Sequence, residues 1–361
     1  MLAPEQTIQD FALPTIEWRT LARRAAVPAV LAATAIAAVL LLGGRVHTVA
    51  DALNRVLGVD PGWAIAGIAF ECISIAGYVA LLSLVAGRAT SRIRLRQSAQ
   101  ITLAGAAATR VLPTAGAGGA ALTLWALRRA GLGARSAAHM LLVFLVLLYA
   151  VFLAAIALAG AAIALGLTSS HGPLALSAVP AAMAVAGGGL ALALGRRART
   201  AFPDLASDGD SRPRHRVASR VSRGARLLGG AVADALGLVR SGEPRLAGAL
   251  VYWLLDAAVL WSMLHAFGAP PAIPVVVLAY FVGQVANTIP LPGTVTGGIA
   301  GVLVAFGVPA GLALPAVLAY RTVAVWLPTP VAVAALPSLR STIARWKRED
   351  QDAAVPAAAD A

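Results

Sequence analysis

"RVLPTAGAGGAALTLWALRRAG", residues 110–131, decides how the rest of the chain is read. It opens on Arg110, reaches Pro113 three residues later, and then crowds Gly116, Gly118 and Gly119 into one turn. Proline removes a helical hydrogen bond and glycine loosens the backbone, so a helix should stop here. The chain then resumes as an apolar run closed by Arg128 and Arg129. A break of this kind between apolar runs is either a loop joining two spans or the tip of a segment that enters a bilayer and turns back. The charge pattern on either side chooses between the two.

The 361 residues are 59% hydrophobic and only 12% charged. Soluble domains carry about 25% charged residues, so the composition predicts an all-α integral membrane protein, one membrane domain over residues 1–361. The formal net charge of +13 would suit nucleic-acid binding on a soluble surface. Here the arginines stand in short clusters between apolar runs, the pattern of cytoplasmic loops, and nucleic acid is excluded as a partner. Cys72 is the single cysteine, which rules out an intrachain disulfide. No cofactor is expected: "GAGGA" has no βαβ unit around it, and no two histidines have metal-ligand spacing.

About 20 apolar residues cross the hydrocarbon core. Candidate spans run from Ala25 to Leu42, from Gly62 to Gly87, and from about Ser136 to Gly166. Three more run from Gly172 to Gly195, from Leu246 to Gly268 and from Pro309 to Leu336. Lys and Arg cluster before the first span, after the second, after the fourth and after the sixth. An even number of spans with both termini in the cytoplasm satisfies every cluster. The same charges can bind anionic lipid headgroups. Residues of about 196–245 form a cytoplasmic linker, whose later part, "VASRVSRGARLLGGAVADALGLV", is expected to be an interfacial amphipathic helix. Residues 340–361 form a basic cytoplasmic tail.

Two apolar stretches remain. One, about Gln97 to Ala130, is interrupted at "LPTAGAGG"; the other, about Ile273 to Val308, is interrupted at "IPLPGTVTGG". A full crossing by either would break the arginine pattern, so both are expected to be re-entrant hairpins, entering from opposite faces. Non-helical backbone at membrane depth must be buried in protein or line a wet cavity, so the tips are expected to meet inside the bundle. The halves then match as an inverted repeat, about 25–166 and about 172–336, the architecture of many secondary transporters. Arg110 precedes Pro113 as Asn287 precedes Pro290, and Gly118-Gly119 answers Gly297-Gly298. Pro292 and Gly293 complete the second tip. Glu71 and Asp256 each lie about ten residues into their spans, near mid-bilayer.

An ionisable group at that depth costs about 2.5–3.5 kcal/mol or more, so Glu71, Asp256, Arg110 and Arg321 are the first candidates for function. They either lock the bundle together or touch substrate. In the functional reading the arginines hold a lipid phosphate, and the acids face a cationic headgroup or carry a proton. Gln284 and Asn287 would add neutral hydrogen bonds or serve as packing glue.

The motifs "LPTAGAGGAALTLWALRRAGL" and "NTIPLPGTVTGGIAGVLVAFGVP...AVLAYRTVAVWLP" resemble the transmembrane, flippase-like region of bacterial lysylphosphatidylglycerol synthases and their stand-alone relatives. The resemblance implies a protein of the inner (plasma) membrane that moves a polar or aminoacylated phospholipid, or a lipid-linked headgroup, between leaflets; with no nucleophile or metal cluster evident in the sequence, it is not expected to be an enzyme. The resemblance also brings Tyr320, beside Arg321, into the expected site. The short basic tail after the sixth span leads us to expect a stand-alone form, with a separate synthase as a possible partner. The alternative reading is a scaffold subunit for such a synthase. Where the family's first hairpin carries an acid after its glycine, this chain has Gly119 and Ala120. Where the second carries a glutamate, it has Thr296 or Ile299.

Overall fold

A computed structural model describes residues 60–111, 117–168, 172–200, 213–268, 270–288 and 293–359. The expected first span, Ala25–Leu42, lies outside them, as do Pro113, Gly116, Pro290 and Pro292. The described residues hold helices and no strands. In order these are α1 (Pro61–Gly87), α2 (Leu95–Val111), α3 (Ala117–Arg129), α4 (Ala134–Ala164), α5 (Leu174–Thr200) and α6 (Pro213–Arg240). Then follow α7 (Ala247–Phe267), α8 (Ile273–Val285), α9 (Thr294–Ala305), α10 (Ala310–Arg321) and α11 (Thr329–Ala359). Among the described residues, five helical runs are long and apolar enough to cross a membrane: α1, α4, most of α5, the run Pro244–Phe267 and the run Ala310–Asp352.

α1 and α7 form the central pair. Gly67 faces Ser262 and Met263, Ser74 Oγ donates to the Tyr252 carbonyl at 2.8 Å, and Gly77 meets Gly248. These pairings run in opposite order along the two helices, so the pair is antiparallel. The contact is close because both partners are glycine: a Cβ on Gly77 would sit 2.8 Å from the Gly248 carbonyl oxygen. Small residues at a crossing let two backbones approach, and this supplies packing that lipid cannot.

The two broken segments are pairs of short helices. α2 has 17 residues, α3 13, α8 13 and α9 12. At 1.5 Å per residue each is about 18–26 Å long, short of the roughly 30 Å core. α2 packs on α3, and α8 on α9. A glycine pair closes each: a Cβ on Gly119 would meet Thr109 at 2.8 Å and Gly105 at 3.2 Å, and a Cβ on Gly298 would meet Gly283 at 3.2 Å. The first pair opens where Thr90 Oγ1 donates to the Ala130 carbonyl, at the C-terminal end of α1. The second opens where Gly268 approaches Leu312, at the N-terminal end of α1, where the Asp60 N–H meets the Ala266 carbonyl. The hairpins therefore open at opposite ends of the bundle. Arg88, Arg92, Arg94, Arg96, Arg128 and Arg129 mark the first end; residues 60–62, 265–268, 270–275 and 305–312 carry no Lys or Arg.

At the C-terminal side the helix runs on past Leu336, the expected end of the sixth span, into the basic segment expected as a tail. The helix continues to Ala359, interrupted by a π-helical turn at Thr322–Trp326. It packs on α2: Gln100 bonds Ser338 at 2.7 Å and Thr342 at 3.0 Å, and Arg92 pairs with Asp350. The linker contains the expected helix, α6, docked through Val232 against Gly195 and through Asp234 on His139.

Candidate functional site

The antiparallel α1–α7 pair sets Glu71 and Asp256 at one level. Glu71 lies about 15 Å along α1 from Pro61, and Asp256 about 14 Å along α7 from Ala247. Both are buried, at 7% and 9% exposure. A carboxyl group withdrawn from water needs partners, and here those come from the second hairpin and from α10. Tyr280 of α8 donates its hydroxyl to Asp256 Oδ2 at 2.6 Å. One helical turn on, Gln284 Nε2 donates to the Tyr320 hydroxyl at 3.0 Å. Tyr320 and Arg321, at the end of α10, both act on the Asp256 carboxyl group. Glu71 acts in turn on Tyr320 and on Tyr252. Two helices of the central pair, one hairpin arm and the last span thus converge on a single polar cluster.

α10 arrives here because it runs antiparallel to α7, with Gly268 near Leu312 and Asp256 near Tyr320. The turn that follows Arg321 is π-helical, a form found most often as single turns at functional sites.

Of the expected residues, Glu71, Asp256, Gln284, Tyr320 and Arg321 come together. Asn287 stands exposed in the 3-10 turn Ala286–Thr288 at the broken end of α8. Arg110 occupies the last turn of α2, at the broken end of the first hairpin. Gly118 is buried at the start of α3. Gly119 and Gly298 act as the clasps described above, while Gly297 faces open space. Gly293 caps α9 with φ +86°, a left-handed conformation that glycine adopts without strain. Trp253 is a packing residue, with Nε1 donating to the Leu148 carbonyl at 2.8 Å. His139, in α4, bonds Asp234 of α6 at 2.7 Å.

Sequence reasoning missed Tyr280, Tyr252, Gly105 and Gly283. Tyr280 precedes Gln284 by four residues, so the two share a helical face, a legible signal. Tyr252 is set four residues before Asp256 in the same way. Gly105 and Gly283 are mid-helix glycines whose partners only the folded hairpins reveal. Among the described residues no cluster of three His, Cys, Asp or Glu is placed to hold a metal ion.

The model of one protein family, the lysylphosphatidylglycerol synthase TM region, matches residues 29–332. The chain belongs to this family. It is accordingly a multi-pass membrane protein of the lysylphosphatidylglycerol synthase transmembrane family, and the match spans both hairpins and all of the polar cluster. No curated protein matches the chain.

Proposed function

We propose that the protein is a lipid translocator of the plasma membrane, carrying a polar or aminoacylated phospholipid or a lipid-linked headgroup between leaflets. In this reading the chain has six spans, both termini are cytoplasmic, and the arginine-rich end faces the cytoplasm. The two glycine-clasped helix pairs are re-entrant hairpins related by an inverted repeat. The protein performs no covalent chemistry on the lipid.

The observation that carries the reading is the placement of Glu71 and Asp256. Two buried carboxyl groups stand at one level on an antiparallel pair, between hairpins that open at opposite ends. Carboxyl groups fixed at mid-depth are costly and characteristically line the route of a polar passenger. Arg321 beside Asp256 supplies the opposite charge, so the cluster can address both the phosphate and the amine of a zwitterionic or cationic headgroup. Discontinuous helices at the midplane offer backbone donors without breaking a span.

The test is leaflet-resolved labelling of fluorescent phosphatidylglycerol, phosphatidylethanolamine and lysylphosphatidylglycerol in proteoliposomes. Wild-type protein should move at least one of them. Asp256→Ala and Arg321→Ala should each lower the rate by about tenfold or more, the effect of losing roughly 1.4 kcal/mol of transition-state contact. Both variants should still insert.

A further inference from the structure

The two oxygens of Asp256 are not equivalent. Oδ2 accepts the Tyr280 hydroxyl at 2.6 Å and the Tyr320 hydroxyl stands close to the same carboxyl group, while Oδ1 is buried and, among the described residues, accepts no hydrogen bond. Among the described residues, the titratable groups of the cluster come from five elements. α1 brings Glu71 and Tyr78, α4 brings Tyr149, α8 brings Tyr280, α10 brings Tyr320 and Arg321, and α7 itself brings Tyr252. Of these only Arg321 is a cation, and it is half-buried at the edge of the cluster. An ionised carboxylate would leave Oδ1 as a charged oxygen without a donor, the costliest way to bury a polar atom.

Two ligands remove that cost. A proton on Oδ1 neutralises the group, and an N–H of a cationic headgroup supplies the missing donor. One oxygen cannot serve both. We propose that Asp256 exchanges a proton for the headgroup, so that lipid entry expels a proton and proton return expels the lipid. This rests on the translocator reading and adds the coupling ion to it. The step balances simply: the Oδ1–H bond breaks, the proton leaves to water, and the carboxylate accepts a hydrogen bond from the ammonium. Tyr280 is a positioning residue. Its hydroxyl donates to Oδ2, fixes the orientation of the carboxyl group and favours the ionised form when the proton departs.

The experiment uses the full chain in detergent micelles, in weakly buffered solution with a pH-indicator dye. The probe is lysylphosphatidylglycerol, with phosphatidylglycerol for comparison, and binding is followed by tryptophan fluorescence. Wild-type protein should release a proton on binding the aminoacylated lipid and none with phosphatidylglycerol. Asp256→Asn should release none, and Tyr280→Phe should move the pH profile of release toward alkaline pH. Release that survives in Asp256→Asn but disappears in Glu71→Gln would overturn the assignment to Asp256. Binding and flipping by the wild type with no proton released would overturn the exchange and leave the translocator intact. A wild type that neither binds nor flips any of the lipids would overturn both.

Discussion

Asp256 and Glu71 are carboxyl groups at one level of the α1–α7 pair, yet their surroundings differ. Asp256 is held by a phenol from the second hairpin and addressed by Tyr320 and Arg321 of α10. Glu71 looks toward Tyr252 and Tyr320 across the α1–α7 seam. The sequence marks both acids by depth alone, because an ionisable residue in an apolar run is conspicuous. It does not mark Tyr280, since a tyrosine in a buried helix is unremarkable until its hydroxyl partner is known. Arg321 is readable in the same way as the acids. The side chain of Arg110 lies outside the description, and its place at the broken end of α2 is where the chain's punctuation at Pro113 puts it.

Glycine contacts do most of the work at the level of elements. The α1–α7 crossing depends on Gly77 and Gly248, and a methyl group on Gly248 would strike the Gly77 carbonyl oxygen. Gly248→Ala should therefore cost about 1–3 kcal/mol, the usual price of overpacking a tight contact, and thermal unfolding in detergent would measure it. Gly301, which faces open space, supplies the control, and Gly301→Ala should not destabilise the protein. The sequence announced the breaks in both hairpins through their proline–glycine runs. It could not announce the clasps, because Gly105 and Gly283 look like ordinary small residues until their partners fold back on them.

The end of α11 is a different kind of contact. Arg92, hydrogen-bonded to Asp350, holds that carboxyl group below the usual carboxylate range, and Asp350 raises Arg92 in return. A depressed carboxyl group stabilises the folded contact above its unfolded range and loses that contribution as pH falls through the depressed value. The pair is solvent-exposed, so salt should weaken it too. Acidification should loosen the end of α11 on α2 and speed limited proteolysis at Arg345 and Lys347, which are already exposed, and Asp350→Asn should show the faster cleavage at neutral pH. An acid-insensitive cleavage pattern in the wild type would contradict this. The reach of α11 was not legible, because residues past Leu336 are polar enough to read as a tail. They stay helical because one face, through Leu339, Thr342 and Trp346, remains buried.

The whole molecule is organised by an opposition of ends. One end gathers arginines and the open side of the first hairpin; the other, almost without them, holds the open side of the second. The arginine clusters could be read directly from the sequence, whereas side-chain convergence at the centre shows only once the helices are packed together. After Cys72→Ser removes the single native thiol, Ser91→Cys should label from the cytoplasm and Pro271→Cys from outside. Labelling of both from one side would refute the inverted arrangement. The central claim is that lipid crosses through the Asp256 cluster, and leaflet-resolved flipping in proteoliposomes tests it most directly. The account predicts that wild-type protein moves at least one labelled phospholipid, and that correctly inserted Asp256→Ala and Arg321→Ala move it about tenfold more slowly or worse. Unchanged flipping in both variants, or none in the wild type, would contradict it.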